Sequence, residues 1–135
     1  KMTGSGLISI QSHTYDMHQW PPFEEGTAQV RETLLPLERE SDEAYEAAVE
    51  EDYARSREVL EAATGQSVQA LAFPEGAYVT LTQDALRNAG ADITVSTVRA
   101  VNTVVKGLPQ SLCAMPRIGM REETDMAALI AELSE

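Results

Sequence analysis

The segment from Ser41 to Thr64 constrains this chain most, because it reads as one long helix with both ends marked. Ser41 is a good N-cap, since a serine hydroxyl accepts a backbone N–H of the first helical turn. Tyr45, Val49, Tyr53, Leu60 and Ala63 recur along one side at helical spacing. Gly65 stands where a left-handed residue ends a helix. At 1.5 Å per residue such a helix is ~36 Å long. Short apolar runs flank it, Leu7–Gln11 before and Val68–Phe73 after, and both read as strands. Pro74-Glu75-Gly76 stops the second run.

The rest of the chain repeats the alternation. Thr80 to Ala89 predicts a shorter helix ended by Gly90, and Ile93–Thr97 a third strand. Arg99–Gln110 reads as an irregular loop and Leu112–Ile118 as a final strand. Thr124 is expected to cap a last helix whose Met126, Leu129, Ile130 and Leu133 follow the i, i+3, i+4, i+7 rule. Strands alternating with helices imply an α/β fold of parallel βαβ units, with the site at the C-terminal ends of the strands. The 135 residues suffice for one small domain with a core. Lys1 and Met2 open abruptly, like the end of a helix entering a strand.

Charge narrows the partners. The net charge of −12 disfavours nucleic acid and anionic membrane surfaces. Ten of the 22 acids lie between Glu38 and Glu61, where they read as a solvated helix face. No apolar run reaches the ~20 residues that span a bilayer. The single cysteine, Cys113, sits among Leu112, Ala114 and Met115, and reads as a buried structural thiol.

Chemistry concentrates in Ser12-His13-Thr14-Tyr15-Asp16-Met17-His18, which holds both histidines of the chain. An offset of five aims side chains apart on a strand or a helix, so only a turn brings two such imidazoles together. Converging neutral imidazoles suit zinc, which takes nitrogen ligands; two polar loop residues without a metal are the plainer reading. Trp20 to Pro36 reads as a loop, broken by Pro21-Pro22 and by Gly26. Trp20 is either a sugar-stacking platform or a plug at the rim of the core.

Ser-His-Thr-Tyr-Asp-Met-His after a short apolar run resembles the second motif of the polysaccharide deacetylases, the NodB-homology domain of carbohydrate esterase family four. Leu71-Ala72-Phe73-Pro74-Glu75-Gly76-Ala77-Tyr78 is similar to that family's third motif, and Met115-Pro116-Arg117-Ile118 to its closing Pro-Arg-Ile segment. The resemblance implies part of an irregular (β/α) barrel and a single partial domain over residues 1–135. The family's first motif, Thr-Phe-Asp-Asp-Gly, has no counterpart, so the missing N-terminal segment of the same domain is an expected partner. A barrel opened in this way would expose adhesive strand edges.

By resemblance, His13 and His18 are ligands of a divalent metal, most readily zinc, and the aspartate that joins them lies upstream. The reaction implied is metal-dependent hydrolysis of N-acetyl or O-acetyl groups on a cell-wall or extracellular polysaccharide, outside the cell or at its surface. This chain by itself is expected to be inactive. The Glu75 backbone N–H maps to the oxyanion donor, Thr14 and Asp16 to groups that orient the imidazoles, and Trp20, Phe73, Pro74 and Tyr78 to substrate contacts; a plain turn residue is the other reading of Asp16. Three positions depart from the family pattern. Ala72 stands where many members have arginine, Glu75 often has tyrosine as its counterpart, and no histidine follows His18. A non-catalytic carbohydrate-binding or interaction module on the same fold is the alternative.

Overall fold

The computed structural model describes residues 3–24 and 29–133; Lys1, Met2 and Gly26, which entered the sequence reading, lie outside them. The long helix α1 (Asp42–Thr64) forms as its punctuation predicts. The Ser41 hydroxyl accepts the Ala44 N–H at 3.2 Å. Gly65 ends the helix at φ 68° and donates its N–H to the Glu61 carbonyl. Tyr45, Val49 and Tyr53 are buried and Leu60 packs against them, whereas Ala63 is exposed. The same face buries two polar side chains, Asp52 and Ser56. The reading of all ten acids as a solvated face therefore fails at Asp52.

Two short strands, β1 (Ala70–Ala72) and β2 (Ile93–Val95), pair in parallel with Leu71 opposite Thr94. Single parallel bridges extend the row at both edges, Ser12 to Leu71 and Val95 to Met115. The spatial order Ser12, β1, β2, Met115 thus follows chain order, as parallel βαβ units require. Helix α2 (Thr80–Asn88) lies between β1 and β2 in sequence and packs on α1, burying Thr82, Ala85 and Leu86. The core joins Tyr45, Val49 and Tyr53 to Val68, Leu71, Phe73, Ala85 and Leu86, and it also takes Met17 and Leu34 from the loops. No helix among the described residues is long and apolar enough to cross a membrane.

Several expected elements are shorter or displaced. Leu7–Gln11 forms no strand, and Leu7 is 90% exposed. Side-chain amides take the places of ladder bonds there: Gln11 Oε1 accepts the N–H groups of Gln69 and Ala70, both at 2.9 Å, and Gln66 bonds the Ile8 carbonyl and the Ile10 N–H. Residues 112–118 pair with the sheet through a single bridge at Met115, after a 3₁₀ turn over Pro109–Leu112, and the Ala114 N–H donates to Thr94 Oγ1 of β2 at 2.7 Å. Cys113 is half-buried rather than buried, and Arg87 Nη2 donates to its Sγ at 3.3 Å. Asp125, not Thr124, caps α3 (Met126–Glu132), its carboxylate accepting the Ala127 and Ala128 N–H groups. Of the four periodic apolar residues in that region, Leu129 is buried, and Met126, Ile130 and Leu133 are exposed.

The loop before α1 is held by a buried cation. Arg31 donates to the Leu35 carbonyl at 2.9 Å and to Glu40 at 2.5 Å, and its guanidinium lies over the Tyr45 ring. Its backbone exchanges hydrogen bonds with Gln19, N–H to Oε1 at 2.8 Å and carbonyl to N–H at 2.9 Å. Leu34 is thereby set into the core, with its carbonyl accepting the Tyr45 hydroxyl at 2.5 Å. Pro21–Phe23 forms a 3₁₀ turn that opens on the two prolines, where no N–H is needed.

Burial pushes the Glu40 carboxyl up, but the Arg31 hydrogen bond, the Leu37 N–H and the Arg31 charge outweigh it and hold the group below its ordinary 4.5. A carboxyl whose folded value is depressed stabilises the fold above its unfolded value, and that contribution is lost as pH falls through the folded one. Glu40→Gln should therefore cost about 2 kcal/mol at neutral pH. Thermal melts of both proteins across a pH series check this. The gap should narrow steadily once the pH drops below 4.5.

Candidate functional site

The histidine turn starts where Ser12 leaves the sheet. Because the pairing is parallel, His13, the turn at Pro74–Gly76 and Thr97 all emerge at the C-terminal ends of adjacent strands. Thr14 takes a left-handed φ of 80°, uncommon for a residue with a branched side chain. This bend lets an offset of five converge. The His13 and His18 ring centroids lie 5.3 Å apart with planes at 80°.

Each imidazole is fixed through one nitrogen. His13 Nδ1 lies 2.7 Å from the Ala72 carbonyl oxygen, and His18 Nδ1 lies 2.7 Å from that of Glu32. A carbonyl oxygen can only accept, so Nδ1 carries the proton in the neutral ring and Nε2 keeps its lone pair. Two rings bound to one tetrahedral zinc through Zn–N bonds of ~2.0–2.1 Å have centroids ~5 Å apart. The donor chemistry and the spacing thus fit two positions of a zinc site. Among the described residues, no group of three or more His, Cys, Asp or Glu side chains gathers as a metal site.

The hydrogen bonds of Thr14 and Asp16 go to groups other than the rings. The Asp16 carboxylate accepts from Gln19 Nε2 at 3.3 Å, and the Thr14 N–H donates to Ser12 Oγ at 3.2 Å. The orienting groups are two backbone carbonyls, one of them fourteen residues beyond His18.

Behind the turn stands Asp52 of α1, 9% exposed. Its carboxylate accepts the Tyr15 N–H at 2.9 Å and the Asp16 N–H at 2.6 Å. Burial raises its pKa, aided by the nearby Asp16 charge, and the backbone N–H groups of Asp16, Tyr15 and Met17 offset part of that. One helical turn on, Ser56 Oγ bonds Ser12 Oγ at 2.8 Å in the interior. The sequence reading missed both residues, and the signal for them is positional: 45, 49, 52 and 56 continue one helical stripe, so an aspartate and a serine fall on the face that Tyr45 and Val49 bury.

The third-motif turn is tightly built. Glu75 has φ 54° and Gly76 φ 75°. A Cβ on Gly76 would lie 2.2 Å from Thr97 Oγ1, so glycine alone fits. The turn's own bonds run from the Gly76 N–H to the Phe73 carbonyl and from the Ala77 N–H to the Pro74 carbonyl, and neither uses the Glu75 N–H. The Glu75 side chain is solvent-exposed. Phe73 and Pro74, which follow β1, are buried, so neither of these two expected substrate contacts has a side chain that faces solvent. Tyr78 stacks on Phe73 at 4.5 Å and remains 36% exposed. Trp20 is 62% exposed, a surface ring rather than a plug of the core.

The family model described as polysaccharide deacetylase matches residues 1–94. No curated protein matches. Among solved structures, the deacetylase domain of BpsB from Bordetella bronchiseptica is 26% identical with a TM-score of 0.63, over 86% of this chain and 45% of its own. IcaB from Ammonifex degensii is 25% identical with a TM-score of 0.63, over 88% of this chain and 45% of its own. A de-N-acetylase from Aggregatibacter actinomycetemcomitans shares the fold at 19% identity, with a TM-score of 0.70 over 96% of this chain and 49% of its own. The chain spans less than half the length of each.

The hydrogen bonds to Ala72 and Glu32 predict one tautomer for both histidines. In ¹⁵N-edited NMR spectra of the metal-free protein, recorded well above the ordinary imidazole range, both rings should carry the proton on Nδ1. Spectra showing Nε2–H for either ring would contradict the carbonyl contacts.

Proposed function

The chain belongs to the polysaccharide deacetylase family, and on that premise we propose that it carries one side of a site that hydrolyses N-acetyl or O-acetyl groups on a cell-wall or extracellular polysaccharide. The observation that carries the reading is the pair of imidazoles 5.3 Å apart, each with Nδ1–H on a carbonyl and the Nε2 lone pair left for a metal. His13 and His18 would hold a divalent metal, zinc by the chemistry of the donors. When bound, such an ion polarises the acetyl carbonyl and makes a water more acidic. The third ligand and the general base are assigned to the N-terminal segment of the same domain. The sequential row Ser12, β1, β2, Met115 is consistent with successive staves of an irregular (β/α) barrel that the same segment completes.

This chain's own groups then have distinct tasks. The Glu75 N–H, left out of the turn's hydrogen bonds at the edge that bears His13, is the donor proposed for the developing oxyanion. The exposed rings of Trp20 and Tyr78 are offered to the sugar faces. Thr14 supplies the left-handed bend that brings the imidazoles together. The site is placed outside the cell or at its surface, where such polymers lie.

His18→Ala in the full-length protein tests the assignment. His18 is exposed, and its ring hydrogen bond goes to the Glu32 carbonyl, so stability should fall by about 1 kcal/mol at most. Bound metal and acetate release from an N-acetylated oligosaccharide should be lost together, the rate by orders of magnitude. Metal content, deacetylation kinetics and thermal melting are measured side by side. A variant that keeps its metal and its rate but melts many degrees lower would make His18 a structural residue and sink the assignment.

A further inference from the structure

The two imidazoles converge across a turn of four intervening residues, and one of these residues sits in a left-handed conformation. Such a turn has few bonds of its own, and its N–H groups look inward. Three successive ones are taken by side chains rather than by backbone: Thr14 by Ser12 Oγ, Tyr15 by Asp52 Oδ1 and Asp16 by Asp52 Oδ2. Ser12 Oγ is in turn held by Ser56 Oγ at 2.8 Å. Asp52 and Ser56 are i and i+4 on α1, and both are buried. A carboxylate enclosed by successive backbone N–H groups is the filled form of an anion nest, with the anion supplied by the protein.

From this geometry we infer that Asp52, supported by Ser56, is a positioning residue that sets the separation of the His13 and His18 rings. Both carboxylate oxygens are committed, one to each of two neighbouring peptide N–H groups. The inner part of the turn is therefore pinned in two places to a helix packed in the core, and the histidines are carried on its two ends. Asparagine has the same shape but presents one acceptor and one NH₂ donor. It satisfies one of the two N–H groups and opposes the other. The histidine turn loses half its anchor while α1 keeps its packing face.

The functional weight of the inference rests on the proposed metal role, but its structural content does not. The experiment uses the full-length protein, with Asp52→Asn and Ser56→Ala as variants and Glu51→Gln, an exposed acid on the same helix, as control. The nuclear Overhauser contact between the His13 and His18 ring protons and the exchange rates of the Tyr15 and Asp16 amides are read without metal. Zinc affinity is then read by competition with a chelator. In Asp52→Asn the ring contact should weaken or vanish and the two amides should exchange faster, while α1 and β1 amides stay protected. Zinc affinity should drop about 10–100-fold, the range for groups that orient ligands, and excess zinc should restore deacetylation. Ser56→Ala should shift the same signals less, and Glu51→Gln should shift none. Unchanged ring contact and unchanged zinc affinity in Asp52→Asn would overturn the positioning role. If the wild type binds no zinc while the ring contact still depends on Asp52, the metal reading fails and the positioning role stands.

Discussion

Tyr45, Val49 and Tyr53 are almost wholly buried along one side of α1, and together they fix that helix about its own axis. Burying each large apolar side chain contributes roughly 1.5–3 kcal/mol, so rotating α1 enough to expose the stripe would cost several kcal/mol. The Tyr45 hydroxyl adds a polar restraint, meeting the Leu34 carbonyl and the Thr82 hydroxyl inside the core. Loop, α1 and α2 thus share one buried junction. With the azimuth of α1 set, Asp52 and Ser56 can face one direction only, toward the turn that leaves the sheet at Ser12. The geometry of the candidate site is in this sense inherited from hydrophobic packing rather than from contacts among the site residues.

The imidazoles are held by a different kind of interaction. Each is oriented by a main-chain oxygen whose position depends on its own segment, β1 for His13 and the loop after Trp20 for His18. The second segment is anchored in turn by Arg31, whose guanidinium joins Glu40 and the Leu35 carbonyl over the Tyr45 ring. A line of dependence therefore runs from a buried ion pair through one peptide to the proton on His18.

Much of this was readable from residues, and the misses have definite causes. The long helix was legible because Ser41, the Tyr45–Val49–Tyr53 spacing and Gly65 act locally and agree with one another. The meeting of His13 and His18 was legible as a requirement for a turn, although the residue that makes it, Thr14, is not one that favours a left-handed conformation. The strand was over-read at Leu7–Gln11 because apolar composition does not reveal that glutamine side chains supply the hydrogen bonds instead, and Leu112–Ile118 pairs with the sheet through one bridge at Met115. Phe73 and Pro74 carry the motif but point into the core, which spacing alone does not tell. Asp52 was hidden by its neighbours: among ten acids it is the one on the apolar stripe, and charge counting gives all ten the same weight. The Glu32 carbonyl could not have been found, since any residue supplies a carbonyl and its sequence separation from His18 carries no pattern.

The Gln11 side-chain amide has a consequence for association. Gln11 Oε1 occupies the N–H groups of Gln69 and Ala70, and Gln11 Nε2 bonds the Ser67 carbonyl. These are the main-chain groups through which the approach to β1 would otherwise accept a foreign strand. A side-chain amide presents the same donor and acceptor as a peptide but cannot be extended into a second row. The lower half of this edge is thereby closed to templated strand addition, and pairing along it stops at the single Ser12 bridge. Gln11 thus acts as a terminator for the sheet, limiting how far a neighbouring chain could zip along it.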